Sequence, residues 1–355
     1  MNILGTGIVF SQGVGVSVLE RALLNGWQKP SEIAVPRSEG LTRPVYQVDL
    51  NAVPDRTLLK KLRRADKLSK MAVLAAADAL ADSGIADITR KKIGIILATA
   101  FGAQVTTFEF LDGILDYGDA AVSPTTFSNS VHNAAASYVS SSLNIQGPTL
   151  TVTQFRFSFP SALQLASTWL QQGRCDYLLV GAVDQYGDVL GYVSEQKLST
   201  AADGRIKPFV FNPTCQVPGE GAVFFLLGND QPENAYCKVN AVYTGDDSEG
   251  GALVDMNIID ADGMLPDESA YLSSLSDIPT TAYSPIFGSM MIGGAFNLAA
   301  AALMLKQQMQ YAAPVQDNPH GLLLVDETGP AHIGTIRSIG CNCFGEKNAV
   351  YLSKI

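Results

Sequence analysis

The chain has 355 residues, 47% apolar and 16% charged, enough to bury a sizeable core in one large or two closely joined domains. Its formal net charge of −10 argues against nucleic acid or an anionic membrane surface as the main partner. No apolar run approaches the ~18 residues that a spanning helix needs. The start, MNILGTGIVF, lacks the basic residues of a secretory signal, so a cytoplasmic location is expected. Five cysteines (Cys175, Cys215, Cys237, Cys341 and Cys343) are odd in number and lack zinc-ribbon spacing. They read as reduced thiols in or near the core; a metal or redox pair at Cys341-x-Cys343 is the less favoured reading. Three histidines argue against a histidine-rich metal site, and no cofactor is expected.

In chain order, residues 2–10 predict a strand and 19–24 a short helix, with 26–54 irregular. Apolar Leu58, Leu62, Ala65, Leu68, Met71, Ala72, Ala75 and Ala79 form one stripe and predict a helix over 58–83, closed by Gly84. A buried strand follows at 93–98, then helices at 104–116 and 129–143, the latter with Asn129 or Ser130 as cap. Residues 147–184 read as strand, tight turn, helix and strand. Thr149, Leu150, Thr151 and Val152 alternate with period two, 161–172 carries helical spacing, and 177–180 is wholly apolar. Strands are expected at 222–227, 237–243, 321–325, 336–341 and 349–353, a glycine-led helix at 292–308, and irregular acidic chain over 244–284. Alternating strands and helices predict an α/β protein with parallel strands. The element order of 90–230 is weakly echoed in 235–355, which suggests halves at 1–230 and 231–355.

A strand running into a helix is where many α/β enzymes expose a nucleophile, because the helix N-terminus favours negative charge. The segment from Gly147-Pro148 to Val180-Gly181-Ala182 resembles the nucleophile elbow of β-ketoacyl synthases. Other pieces resemble the same family in the same order: Arg63-Arg64-Ala65-Asp66, Ala98 to Gly102, Val122 to Ala136, Val217-Pro-Gly-Glu-Gly221, and Ile339 to Gly345. The resemblance covers nearly the whole chain. It implies the thiolase fold, two similar halves with mixed five-stranded sheets in αβαβα layers.

That family uses Cys-His-His chemistry, a thiolate nucleophile and two histidines for decarboxylation and oxyanion stabilisation. Counted without gaps, Arg156 stands at the cysteine position; a two-residue shift would put Gln154 there. Gly294 replaces the second histidine, Ser289 the lysine, and the H-G-T-G-T motif is absent, its region reduced to about Ile278–Ser284. The resemblance is therefore to a chain length factor, the inactive partner of a type II ketosynthase heterodimer, and the wording NSVHNAAASYVS suggests the aryl polyene kind. By that resemblance, Thr149, Leu150, Thr151 and Val152 would pair with an active synthase. Phe101, Phe108, Phe110, Thr126, Phe127, Val131 and His132 would shape the acyl tunnel, and Lys60, Arg63 and Arg64 would dock an acyl carrier protein.

Blander readings stand beside these. The basic run serves equally as a solvated helix face, the rings as ordinary core, and His132 as a packed side chain. A buried Arg156 must have a partner, because an unpaired buried cation is costly. The rival functions are a thioesterase or acyltransferase using Ser158 or another nucleophile, and a homodimeric acyl-binding protein.

Overall fold

The computed structural model describes residues 1–35, 40–53, 56–85, 91–245, 253–275, 277–315 and 317–355. Ten strands carry the fold: β1 (Asn2–Phe10), β2 (Ile93–Ala98), β3 (Thr149–Val152), β4 (Tyr177–Asp184), β5 (Gly221–Gly228), β6 (Cys237–Thr244), β7 (Met256–Ile259), β8 (Thr280–Thr281), β9 (Thr335–Cys341) and β10 (Lys347–Ser353). The first five lie in the order β3-β2-β4-β5-β1 and the last five in the order β8-β7-β9-β10-β6. The pairing repeats as well. β2 is parallel to β3 and β4, and β7 is parallel to β8 and β9; the remaining pairs in each set are antiparallel. The two five-stranded sets join where Asn2 and Ile3 meet Lys238 and Cys237.

The main helices are α1 (Val16–Asn25), α2 (Lys67–Asp82), α3 (Gln104–Tyr117), α4 (Pro124–Asn129), α5 (Ala134–Ser142), α6 (Ser158–Gln171), α7 (Asp188–Lys197) and α8 (Gly293–Gln307). Strand residues alternate between two cores, as a period of two requires. Ile96, Val180, Val223 and Phe225 face a central layer with Leu163 of α6 and Phe296 of α8, which also receives Ile258, Ile336 and Val350 of the second set. Ile95, Leu97, Leu179 and Phe224 face the outer layer of α2 and α5. Both faces of these strands are covered, hence their unbroken apolar runs. Helix α2 lies unusually close to β1: a Cβ at Gly5 or Gly7 would stand 2.3 or 2.0 Å from the carbonyl oxygens of Ala79 or Ala75. The outer face of the second sheet is covered by a 3-10 turn at Ser269–Ser274 and by loops around Ala313 and Leu322.

Several local expectations are corrected. The helix expected over 58–83 is two pieces, Thr57–Lys61 and α2, because Asp66 adopts an extended conformation and caps α2 by accepting from the Ser69 N–H at 2.8 Å. The helix expected at 129–143 is likewise split into α4 and α5, with Ser123 rather than Asn129 or Ser130 acting as a side-chain cap. The run 321–325 forms no strand; Leu324 makes a single bridge to Thr280. Within 26–54 a small hairpin pairs Ser31–Ala34 with Thr42–Val45. Parts of that stretch and of 244–284 lie outside the described residues. Helix α7 had no counterpart among the expected elements. Cys343 is exposed rather than near the core.

Candidate functional site

The turn between β3 and α6 folds sharply. Phe155 takes φ 47°, a left-handed conformation rare for a residue with a side chain, and is 63% exposed. This reversal sends the next side chain, Arg156, inward to 5% exposure. Arg156 sits just ahead of the α6 N-terminus, where the helix dipole disfavours a cation, so its charge must be met from elsewhere. It is met from the loop after β7. Nη1 donates to the Asp260 carboxylate and to the Asp260 carbonyl, each at 3.2 Å. Nη2 donates to Asp262, and Glu268 lies 4.0 Å from the same nitrogen. Asp262 also accepts from the Met290 N–H at 2.9 Å and the Met264 N–H at 3.1 Å. Glu268 accepts from the Gly263 N–H at 3.1 Å, and the Tyr271 hydroxyl donates to the Asp260 carbonyl at 2.8 Å. All three carboxyl side chains are buried.

One cation facing three buried carboxyl groups cannot hold all three charges cheaply. Burial raises Asp260 to about 7, against the opposing pull of Arg156. Burial, with Asp262 beside it, raises Glu268 to about 8. For Arg156, burial by itself would lower the pKa; Asp262 and Asp260 more than reverse this and hold it well above the ordinary value. Near neutral pH Glu268 therefore keeps its proton, while Arg156 stays charged and hydrogen-bonded to both Asp260 and Asp262.

The other two expected degenerate positions close around the same cluster. The Ser289 hydroxyl donates to the Asp262 carbonyl and accepts from the Val217 N–H at 2.9 Å. Gly294, the second residue of α8, lies beneath Asp260, which gains a backbone hydrogen bond there. A Cβ at Gly293 would come within 2.4 Å of Asp260 Oδ1, whereas one at Gly294 would stand 3.7 Å from Oδ2. Sequence reasoning thus converged on three residues that the fold brings together. It missed Asp260, Asp262 and Glu268; the remnant of the H-G-T-G-T region was expected at about Ile278–Ser284. That segment holds the edge strand Thr280–Thr281, and residues 260–268 face Arg156, because it is β7 that pairs beside β9. The available signal was the requirement that a buried arginine have partners, together with two aspartates just past an apolar strand.

Gln154 is exposed at the rim and accepts from the Ser161 hydroxyl at 2.8 Å. Ser158 is fully buried, its one hydroxyl proton shared between the Phe155 carbonyl at 2.8 Å and the Thr99 carbonyl at 3.1 Å, and its oxygen accepting from the Gln154 N–H at 2.7 Å. None of the three histidines is hydrogen-bonded to it: His132 packs on Gly102, His320 stacks on Phe211, and His332 is exposed on a loop.

Beside the cluster lies a largely apolar cavity of about 320 Å³ between α7 and the loops carrying Pro218, Met264 and Met290. Of the expected tunnel residues only Phe101 lines it. The others lie along the outside of α3, α4 and the turn after them. Phe108, Phe127 and Val131 are 36%, 57% and 44% exposed, Thr126 is half-buried, and the Phe110 and Phe127 rings meet at 5.3 Å. Strand β3 is an edge strand with Leu150 43% exposed. Lys60, Arg63 and Arg64 are all exposed, on the short helix and turn ahead of α2 rather than on α2 itself. Among the described residues no helix is long and apolar enough to cross a membrane.

Two similar α/β halves with a strand–turn–helix elbow between their sheets define a thiolase-like protein. The sequence profile for "Beta-ketoacyl synthase, N-terminal domain" matches residues 2–232, and the chain belongs to the β-ketoacyl synthase family. It is 25% identical over 247 residues to a 3-oxoacyl-[acyl-carrier-protein] synthase 2 of Staphylococcus aureus, covering 62% of this chain and 59% of that protein. It is 26% identical over 236 residues to nodulation protein E of Rhizobium meliloti, covering 66% and 58%. The match thus spans less than two thirds of these relatives. Among solved structures, a β-ketoacyl synthase from Burkholderia phymatum superposes with a TM-score of 0.80 at 17% identity, over 100% of this chain and 99% of that one. The ishigamide ketosynthase/chain length factor superposes with a TM-score of 0.79 at 16% identity, over 100% and 98%. A type II PKS acyl-carrier protein complex with its ketosynthase bound to the hexaketide gives 0.78 at 16%, over 100% and 99%.

Proposed function

We propose that this chain is a non-catalytic ketosynthase-like subunit, a chain length factor of the aryl polyene type, with halves at 1–230 and 231–355. It pairs through β3 with an active β-ketoacyl-ACP synthase and completes that partner's acyl tunnel. The observation that carries the reading is Arg156. At the elbow, at the position that ungapped counting assigns to the family's cysteine, stands a buried cation locked to Asp260 and Asp262. A guanidinium so paired is neither nucleophile nor base, and no histidine lies beside it to supply one.

The exposed edge of β3 and the uncovered rings of α3 and α4 support pairing with a second chain, since monomers rarely leave contiguous apolar surface open. The outward position of Phe108, Phe127 and Val131 fits a tunnel whose wall is completed only in the pair. A serine hydrolase reading is disfavoured, because the buried Ser158 hydroxyl is bonded to the backbone of Gln154, Phe155 and Thr99 and to no histidine. The test is twofold. The purified chain, incubated with acyl- and malonyl-carrier protein, should show no acyl adduct by intact mass, and Arg156→Cys should not restore condensation. Co-expression with the cognate synthase should yield a stable pair whose activity needs both subunits. An acyl adduct on the isolated wild-type chain would overturn the proposal.

A further inference from the structure

From Ile93 to Phe155 the sequence contains no lysine or arginine, while it contains Glu109, Asp112, Asp116 and Asp119. All four are exposed, and no ion pair to any of them occurs among the described residues. Glu109, Asp112 and Asp116 recur at i, i+3 and i+7 on α3 and form one stripe. Directly beside it runs an apolar stripe of Phe108, Leu111 and Leu115, with Leu115 82% exposed. Helix α3 buries only Gln104 and Thr106, both in its first turn. Its outer face continues to the β3 edge by close steps: Thr107 donates to the Ser130 carbonyl at 2.9 Å, His132 packs on Gly102, and Phe101 meets Phe155 at 6.1 Å.

One of these acids stands where the helix itself disfavours it. Asp116 lies in the last turn of α3, at the negative end of its dipole, with no basic residue there. Nothing described within the chain compensates it. A charged rim beside an apolar, unpartnered face acts chiefly on partner choice, since like charges brought together across an interface repel.

We propose that this acidic rim excludes a second copy of the same chain from the face and selects a non-identical subunit presenting lysine or arginine opposite α3. The inference rests on the reading of β3 as the subunit seam. In a two-fold pair of identical chains the rims would approach each other and repel, whereas a basic partner would turn the same charges into attraction.

The isolated full-length chain provides the test, by analytical ultracentrifugation at about 50 mM and about 500 mM salt, where screening lengths differ severalfold. Wild-type self-association should be weak at low salt and should tighten at high salt. The variant Glu109→Gln/Asp112→Asn/Asp116→Asn/Asp119→Asn, which keeps the shape, should self-associate at least about tenfold more tightly at low salt and lose the salt response. A wild-type dimer that is tight at low salt and weakened by salt overturns the proposal. So does a variant no tighter than wild type, or a weaker one, which would mean that the acids pair with Lys60, Arg63 or Arg64 of a second copy. Adding Leu150→Asp to the neutralised variant separates the two inferences. Loss of its dimer supports both. Persistence of that dimer overturns the β3 seam, and with it the functional reading, while still supporting charge exclusion at α3.

Discussion

Replacing Arg156 by methionine keeps the bulk of the side chain and removes its charge. The guanidinium is 5% exposed and is the only cation facing Asp260, Asp262 and Glu268 among the described residues. Removing one member of a buried ion pair strands the other, at a cost of about 3–5 kcal/mol. The cost should depend on pH. At pH 8.5 Asp260 (about 7) and Glu268 (about 8) have largely lost their protons in the wild type; without Arg156, which draws both downward, they must either take protons up again or stay charged with no counter-ion, and both are costly. At pH 5.5 both already retain their protons, so less charge is left uncompensated, and Asp262 keeps its two backbone N–H partners. Urea denaturation followed by tryptophan fluorescence reads the difference, since Trp169 lies on the helix that Arg156 precedes and is 8% exposed. The full cost is expected at pH 8.5 and roughly half of it or less at pH 5.5. A cost below about 1 kcal/mol at pH 8.5, or the same cost at both pH values, would refute the account of the cluster.

Glu268→Gln keeps the oxygen that accepts from Gly263 but cannot ionise. A carboxyl whose folded pKa is raised binds an extra proton in the folded state, so wild-type stability falls as pH rises from the unfolded value near 4 to about 8. The variant should lack its share of that fall, about 1.4 kcal/mol per pH unit, in denaturation curves taken between pH 6 and 8. Gly293→Ala should lower stability by about 1–3 kcal/mol, whereas Gly294→Ala, with room for its methyl, should stay within about 0.5 kcal/mol; paired melts decide. In the assembled pair, Phe127→Ala should shift carrier-bound products towards longer chains by about an order of magnitude, two further buried methylenes being worth ~1.6 kcal/mol. Mass profiles check this, and an unchanged length distribution would reduce Phe127 to interface packing. Reversing Lys60, Arg63 and Arg64 to glutamate should slow carrier association and flatten its salt dependence in stopped-flow traces.

The sheet strands were legible because burial on both faces writes itself as unbroken apolar runs. Residues 93–98 and 222–227 lie within β2 and β5 with little change at their ends. Helices broken by a polar cap were not legible. The apolar stripe of 58–83 runs through the break at Leu62–Asp66 without interruption, since Leu62 and Ala65 are buried in the turn as they would be in a helix. The charge cluster was half legible. The need for partners followed from Arg156 alone, but Asp260, Asp262 and Glu268 lie more than a hundred residues away in an acidic, irregular stretch, and periodicity carries no information about a contact made by topology. Helix α7 was missed because it is almost wholly unburied, with only Gly191 enclosed, so no apolar stripe marks it.

A site that has lost its chemistry could be filled by apolar side chains, and such packing is often as stable as a buried ion pair or more so. Here the elbow instead retains a charged residue that projects from the first half and is grasped by two carboxyl side chains from the second, with Glu268 4.0 Å away. An apolar plug would tolerate sliding between the halves, whereas hydrogen bonds from two guanidinium nitrogens to Asp260 and Asp262 fix both distance and direction. Because Asp260 also meets the start of α8, and Asp262 the Met264 and Met290 backbone, one arginine sets the elbow, the loop after β7 and the head of α8 in a single arrangement. The turn that holds Arg156 is the same turn that leaves Phe155 exposed next to the β3 edge. The cluster that ends catalysis in the proposed reading therefore also fixes the shape of the surface offered to the partner, which is why Arg156 variants should weaken assembly as well as stability.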